Sequence, residues 1–320
     1  MNSEKSPIIT LIVPCFNEQE VLPTTNTTLL HLLQGLIDTE KISPKSQILY
    51  VDDGSQDITW NLIESYASES PYVEGIKLAG NVGHQNALIA GLDVAGRSCG
   101  AAISIDADLQ DDIQAIPEMI EKFCEGYDIV FGVRDNRNSD SWFKRESAQG
   151  FYRLLRKLGV KTVYNHADFR LMSSRAIHDF LEYGERNIYI RGIVAGLGYR
   201  HTSVYYKRNP RTAGKSKYPI RKMLNFAVDG ITSFSVRPVR MVFFLGVGFL
   251  LVALGIFIYV MARYFSDETI EGWTSLMLSI WFCTGVLLMS LGIIGEYVGK
   301  IYTEVKQRPR YAIEKTTQKQ

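Results

Sequence analysis

Two aspartates one residue apart, Asp106 and Asp108, follow the apolar run Ala101 to Ile105, with Gln110, Asp111 and Asp112 directly behind them. Carboxylates in that pattern suit a hard divalent cation, Mg²⁺ or Mn²⁺, which takes oxygen ligands and commonly bridges a protein carboxylate to substrate phosphates. Gln110 is spaced to add a further oxygen. An isolated Asp-x-Asp is weak, because a solvated acidic turn or a helix cap accounts for most single instances. Its weight comes from a second acidic pair, Asp52 and Asp53, that ends another apolar run in the same way. Polar clusters close two more such runs: Pro14-Cys15-Phe16-Asn17-Glu18 and Asn81-Val82-Gly83-His84-Gln85. The second of these is expected to offer backbone N–H groups at a helix start to an anionic ligand. His84 reads more readily as a cap or packing residue than as a catalyst. Standard phosphate fingerprints fail: no GxGxxG follows the first run, and Gly214-Lys215-Ser216 has Asn209 where the first glycine of a P-loop belongs.

The elements that must position these clusters are legible in the hydrophobic pattern. Short apolar runs at Ile8 to Val13, Ile48 to Val51, Val73 to Leu78, Ala101 to Ile105 and Ile129 to Val133 read as strands. Helical patterns near Val21 to Leu36, Thr59 to Ala67, Gln85 to Ala95 and Ile113 to Phe123 alternate with them. The series implies a mostly parallel, helix-covered α/β sheet. Ligands of such sheets bind beyond the strand C-termini, so the four clusters should line one rim. Past residue 134 the alternation weakens into the basic segment Arg134 to Lys161, then Asp168-Phe169-Arg170, a strand at Tyr199 to Tyr206 and a loop to Tyr218. Arg134, Lys144 and Arg145 suit an acceptor phosphate, whose geometry arginine forks match; a basic face toward anionic lipid headgroups is the alternative.

Composition separates a water-soluble portion from an apolar one. The 320 residues are 46% hydrophobic and 22% charged, which excludes a disordered chain. Lys and Arg number 35 against 34 Asp and Glu, so the balance argues against a generic nucleic-acid binder. Cys15, Cys99, Cys124 and Cys283 lack metal spacing and mostly sit in apolar runs, which reads as reduced, buried thiols. Met241 to Met261 and Gly272 to Gly295 carry no charge and are long enough to cross a bilayer. They predict a hairpin with spans at 241–262 and 273–295. Arg237 and Arg240 before the first span, and Lys300, Lys306, Arg308 and Arg310 after the second, place both flanks in the cytoplasm. No signal peptide is recognisable near Met1. The expected organisation is a cytosolic domain over 1–217, an amphipathic interfacial region over 218–240, a membrane hairpin over 241–298 and a cytosolic tail over 299–320, disordered from Glu314. Gly246, Gly248 and Gly255 fit either a homo-oligomer contact or packing within the hairpin.

Taken together, VPCFNE (Val13 to Glu18), VDDGSQD (Val51 to Asp57), NVGHQNALIAGL (Asn81 to Leu92), DADLQDD (Asp106 to Asp112), ADFRLMS (Ala167 to Ser173), RTAGKSKY (Arg211 to Tyr218) and GEYVGKIYTEVKQRPRY (Gly295 to Tyr311) resemble glycosyltransferase family 2. The closest likeness is to its polyprenyl-phosphate members, the bactoprenol glucosyltransferase and dolichol-phosphate mannosyltransferase relatives, and it runs nearly end to end. The resemblance implies a GT-A domain tethered by the membrane hairpin. It assigns Pro14, Asn17, Glu18, Asp52 and Asp53 to the nucleotide, and Gly83, His84, Gln85, Asp106 and Ala107 to the nucleotide-sugar. It also implies Mg²⁺ or Mn²⁺ at Asp106, Asp108 and Gln110, with Arg211 and Lys217 opposing the charge of the departing diphosphate. Asp168 occupies the family's catalytic-base position, although a lipid phosphate is already ionised and needs positioning more than deprotonation. Orientation of the acceptor or of sugar hydroxyls is therefore the favoured role, with an ion pair to Arg170 or another cation as the structural alternative.

The expected reaction is inverting transfer of one sugar, glucose from UDP-glucose, onto undecaprenyl phosphate at the cytoplasmic membrane face. Gly83-His84-Gln85 stands where the bactoprenol branch often has Gly-Lys-Glu, so N-acetylglucosamine or mannose as the sugar stays open. A processive polysaccharide synthase is disfavoured by the lack of a Gln-x-x-Arg-Trp motif, and a non-catalytic nucleotide-sugar scaffold by the retained acidic elements.

Overall fold

The computed structural model describes residues 6–134, 166–185, 190–207 and 272–317, together with scattered helical positions between 242 and 259. The leading apolar run forms β1 (Ile9–Cys15), every residue of it buried. There follow α1 (Leu22–Asp38), β2 (Gln47–Asp52), α2 (Thr59–Glu69), β3 (Val73–Leu78), α3 (His84–Ala95) and β4 (Ala101–Ser104). A 3₁₀ turn (Ile113–Ala115), capped by the Asp112 side chain on the Gln114 N–H, leads into α4 (Ile116–Cys124) and β5 (Ile129–Arg134). Then come β6 (His166–Ser173), α5 (Ser174–Glu182), α6 (Ile190–Gly196), β7 (His201–Tyr206), the long helix α7 (Trp273–Val305) and β8 (Ile313–Thr316).

The strands make one sheet in the order β7-β5-β6-β4-β1-β2-β3-β8. The pairs β1·β2, β1·β4, β2·β3 and β5·β7 are parallel, whereas β4·β6, β5·β6 and β3·β8 are antiparallel. The sheet is thus mixed, less parallel than the alternating pattern implied, because β6 and β8 enter it in the direction opposite to their neighbours β4, β5 and β3. Alternation along β1 sends Ile9, Leu11, Val13 and Cys15 into a core shared with Leu22, Leu29 and Leu33 of α1. Ile12 points the other way, where the closeness of α3 leaves no room for a side chain at Gly91: a Cβ there would stand 2.4 Å from Ile12 Cγ2. Both faces are therefore covered. Each large apolar side chain buried there contributes about 1.5–3 kcal/mol.

Two expectations about the periphery are corrected. Cys15 and Cys99 are buried, but Cys124 ends α4 in an exposed position and Cys283 is exposed on α7. The C-terminal segment does not stay loose from Glu314: β8 pairs antiparallel with β3, matching Ile76 with Thr316 and Lys77 with Lys315. Lys77 Nζ lies 3.2 Å from Glu314, the Tyr311 hydroxyl donates to Asp93 Oδ2 at 2.7 Å, and the Gly75 N–H donates to Thr317 Oγ1 at 2.8 Å. Residues 308–317 belong to the same compact unit as the sheet. Pairing covers the edge of β3, whose unpaired backbone would otherwise be open to other chains.

The second compact unit contains α7. This helix of 33 residues holds a stretch, Phe282–Val305, that is long and apolar enough to cross a membrane, with Leu287, Leu288 and Met289 all exposed. It runs ten residues beyond the expected end at 295, carrying Glu296, Lys300 and Glu304 at intervals of four on one face. The described positions between 242 and 259 are helical, and the rest of the first expected span and the region 218–240 lie outside the described residues.

At the β2 turn Gly54 has φ +69°, and a Cβ there would stand 2.7 Å from the Gly80 carbonyl carbon and 2.8 Å from Asn81 N. The substitution Gly54→Ala is expected to cost about 2–3 kcal/mol. In a thermal unfolding scan of the detergent-solubilised protein that corresponds to a fall of about 4–12 °C. Truncation after Gln307 should lower the same transition and promote aggregation, read by light scattering; an unchanged transition would show that β8 adds nothing to the sheet.

Candidate active site

The C-terminal ends of β1 and β2 are adjacent because Cys15 pairs with Asp52. Their loops are joined by a network of short-range bonds. The Asn17 N–H donates to Ser55 Oγ at 2.9 Å and Asn17 Oδ1 accepts from the Gln56 N–H at 2.8 Å, with Asn17 itself at φ 55°. The Glu18 N–H donates to Thr59 Oγ1 at 2.9 Å, and Asp57 accepts from the N–H groups of Gln19 and Thr59. Asp53 reaches across to the third loop, where its two oxygens accept the N–H groups of Val82 at 2.7 Å and Gly83 at 3.0 Å. Burial pushes the Asp53 carboxyl up, opposed by those two bonds and by His84. The N–H groups expected to await an anionic ligand are thus occupied by the protein's own carboxylate. Asp52 is fully buried: its Oδ1 accepts from the Ser55 N–H at 3.2 Å, while Oδ2 has no hydrogen-bond partner among the described residues.

The fourth loop carries Asp106 and Asp108. Thr25 of α1 donates to the Ala107 carbonyl at 2.6 Å, the Leu109 N–H returns to the Asp106 carbonyl at 3.2 Å, and the Gln110 N–H donates to Asp108 Oδ1 at 3.3 Å. Gln110 is buried at 4% exposure, whereas Asp106 and Asp108 are only partly covered. The antiparallel register of β4 and β6 pairs Ser104 with Arg170, so two residues farther along it sets Asp106 opposite Asp168. The Ser104 hydroxyl donates to the Asp168 carbonyl and fixes this end of the strand.

Asp168 is held by two guanidinium groups. Arg170 Nη2 stands 2.7 Å from its Oδ1; Arg191 of α6 donates Nε to Oδ1 at 3.1 Å and Nη2 to Oδ2 at 2.9 Å. Burial alone would push this carboxyl up, but the Arg191 bonds and the charges of Arg170, Arg191 and His84 outweigh it and hold it well below the usual carboxylate range. His84 Nε2 stands between the two aspartates, 3.6 Å from Asp106 and 3.9 Å from Asp168. Asp106 is moved the other way: burial raises it, His84 opposes, and the carboxylates of Asp168, Asp111 and Asp108 add to the rise. An ionised, doubly clamped Asp168 is a poor proton acceptor and a rigid anionic anchor.

A second charged group ends β5 and β7, where Arg134 pairs with Tyr206. Asp111, buried at 2%, accepts the Tyr206 hydroxyl at 2.7 Å and contacts Arg134 Nη2 at 2.9 Å. Arg134, read from sequence as a phosphate ligand, is therefore held in place by a buried carboxylate. Lys144, Arg145, Arg211 and Lys217 lie outside the described residues. Pro14, Asn17, Glu18, Asp52, Asp53, Gly83, His84, Gln85, Asp106, Ala107, Asp108 and Asp168 gather at the strand ends. Sequence reasoning missed Arg191, Asp111 and Tyr206. Asp111 was in view as part of an acidic run, but Arg191 had no motif to mark it.

The family description "Glycosyl transferase family 2" matches residues 10–181, more than half of the chain. The chain is 50% identical over 317 residues to "Uncharacterized glycosyltransferase YkoT" of Bacillus subtilis (strain 168), covering 97% of this chain and 92% of that protein. It is 38% identical over 317 residues to "Bactoprenol glucosyl transferase" of Shigella phage SfV, covering 97% and 99%. A glucosyl-3-phosphoglycerate synthase from Mycobacterium tuberculosis, solved with Mn²⁺, UDP-glucose and phosphoglyceric acid, aligns at 15% identity with a TM-score of 0.45, over 71% of this chain and 78% of that one; at this distance no residue role transfers. The family match and the near full-length identities leave one assignment: the chain belongs to glycosyltransferase family 2, with a GT-A sheet, among its polyprenyl-phosphate glycosyltransferases.

Proposed function

We propose that the protein transfers one glucose from UDP-glucose, with inversion, to undecaprenyl phosphate at the cytoplasmic face of the membrane. The observation that carries this reading is the Asp168 clamp. A sugar hydroxyl acceptor needs a base, and a carboxylate held between Arg170 and Arg191 serves poorly as one. A lipid phosphate is already an anion at neutral pH and needs only alignment with the anomeric carbon. The apolar helix containing Phe282–Val305 and the relatives named bactoprenol glucosyl transferase support an acceptor that resides in the bilayer.

The residues divide by task. Asn17 and Glu18 border the donor's nucleotide, with the buried Asp52 bracing the second loop through Ser55 and Asp53 holding the third loop in place for it. Arg134, braced by Asp111 and Tyr206, takes the acceptor phosphate, joined by Lys144 and Arg145; Arg211 and Lys217 oppose the charge left on the nucleoside diphosphate. Asp106 and Asp108 suit a divalent cation: they are oxygen donors on a partly open turn, where burial raises Asp106 and the carboxylates of Asp168, Asp111 and Asp108 add to the rise against His84. Among the described residues no three His, Cys, Asp or Glu side chains form a complete cage. Two carboxylates leave coordination positions for phosphate oxygens and water, the arrangement Mg²⁺ prefers. When bound, such an ion supplies electrophilic charge to the departing diphosphate. Gln110 supports the turn through its backbone.

The test incubates the purified full-length protein with radiolabelled UDP-glucose and undecaprenyl phosphate. A chloroform-soluble monosaccharide product is expected, and a polymer or no lipid product would overturn the reading. Undecaprenol in place of the phosphate should give no product even at alkaline pH. Asp108→Ala is expected to lower kcat by about 10²–10³-fold, and a chelator should abolish turnover until Mg²⁺ or Mn²⁺ is restored. UDP-N-acetylglucosamine and GDP-mannose, run as parallel donors with mass spectrometry of the lipid, decide the sugar.

A further inference from the structure

Arg191 reaches Asp168 from a separate segment of the chain. Arg170 reaches Asp168 along its own strand, buried to 2% exposure, so its position follows from β6 itself. Arg191 stands on α6, which is seated by the buried side chains of Ile190, Ile193 and Val194. The helix is also tied to α3: the Ile190 N–H donates to Gln85 Oε1 at 3.2 Å, next to His84, which faces Asp168 and Asp106. The fork of Arg191 addresses both oxygens of Asp168, Nε to Oδ1 and Nη2 to Oδ2. A bidentate pair fixes the plane of a carboxylate as well as its distance, which a single contact leaves free to rotate.

We infer that Arg191 is a positioning residue for the transfer reaction: through its two-point hold on Asp168, and through the Gln85 tie to α3, it sets the carboxylate plane that the reactants meet. The inference rests on the transferase reading above. Its consequence is a division of labour between the two arginines. Arg170 balances the charge of Asp168 within the strand, and Arg191 sets its direction. Loss of Arg191 leaves Asp168 paired with Arg170 but free to turn, so transfer slows while donor affinity stays.

The experiment uses the full-length protein in detergent, with radiolabelled UDP-glucose, undecaprenyl phosphate and Mg²⁺, and compares wild type with Arg191→Ala and Arg191→Lys. Arg191→Ala is expected to lower kcat by about 10- to 100-fold, the scale of an ångström-sized misplacement, with KM for UDP-glucose within about two-fold of wild type. Millimolar methylguanidinium should restore part of kcat in Arg191→Ala and have no effect on wild type. Arg191→Lys, which keeps the charge but not the fork, should stay impaired. Unchanged kcat in Arg191→Ala, a loss confined to KM, or full activity of Arg191→Lys would each overturn the inference. So would a failure of methylguanidinium to restore any turnover in Arg191→Ala with a wild-type thermal transition. Should Arg191→Ala not fold, Arg191→Lys decides through the same kcat and KM comparison. A wild type that forms no glycolipid would remove the functional reading and this inference with it, whereas an active wild type matched by Arg191→Ala removes the inference alone.

Discussion

The antiparallel pairing of β6 with β4 is the constraint on which the site depends. In a sheet made only of parallel strands, each strand end would deliver its loop to the rim and then turn away into a helix. A strand entering from the opposite direction brings its first residues to that same rim, and the Ser104–Arg170 register sets Asp168 opposite Asp106. Two carboxylates brought together in a partly desolvated place raise one another's proton affinity unless cations intervene. Here Arg170, Arg191 and His84 hold Asp168 ionised against its burial, whereas burial pushes Asp106 up, with His84 opposing and Asp168 adding to the rise. The asymmetry separates the two groups chemically: one is a fixed anion, the other a carboxylate whose ionised form is disfavoured.

The surrounding loops show why this rim is rigid before any substrate arrives. Asn17, Ser55, Asp57 and Thr59 exchange backbone and side-chain bonds between the first two loops, and Asp53 occupies the N–H groups that open α3. Backbone groups that would otherwise need water or ligand are satisfied internally. The left-handed turn at Gly54 is part of the same device, since only a residue without a Cβ lets the β2 loop approach Gly80 and Asn81 so closely. A ligand bound to such a surface would meet groups already held in place, which limits the ordering cost at binding.

The far edge of the sheet shows a long-range closure of a different kind. After α7 the chain returns to the sheet, and Thr317 binds Gly75 across 242 positions of sequence. Loop-closure entropy grows only slowly with length, so the ladder bonds, the Lys77–Glu314 pair and the Tyr311–Asp93 bond suffice to offset it. The segment that follows the apolar helix is thereby part of the catalytic unit's own architecture.

Much of this was legible in the residues themselves. Apolar runs of four to six residues mark the buried strands because a strand covered on both faces has no reason to alternate, and Val73–Leu78 lies where its run predicts. The acidic and polar clusters follow from the rule that strand C-termini carry the ligands, and the chain of motifs was enough for the family. The sequence by itself therefore determined β1 to β5, β7, the apolar helix and the family, since each is written in contiguous stretches whose period or composition has a local cause, whereas β6 and β8 were not legible in it. Only the tertiary structure decided which charges meet. The direction of β6, the arrival of Arg191 from α6, the use of Asp53 as an internal clamp and the return of β8 join residues far apart in the chain. Pairing across such distances is set by packing and register, which no local pattern records.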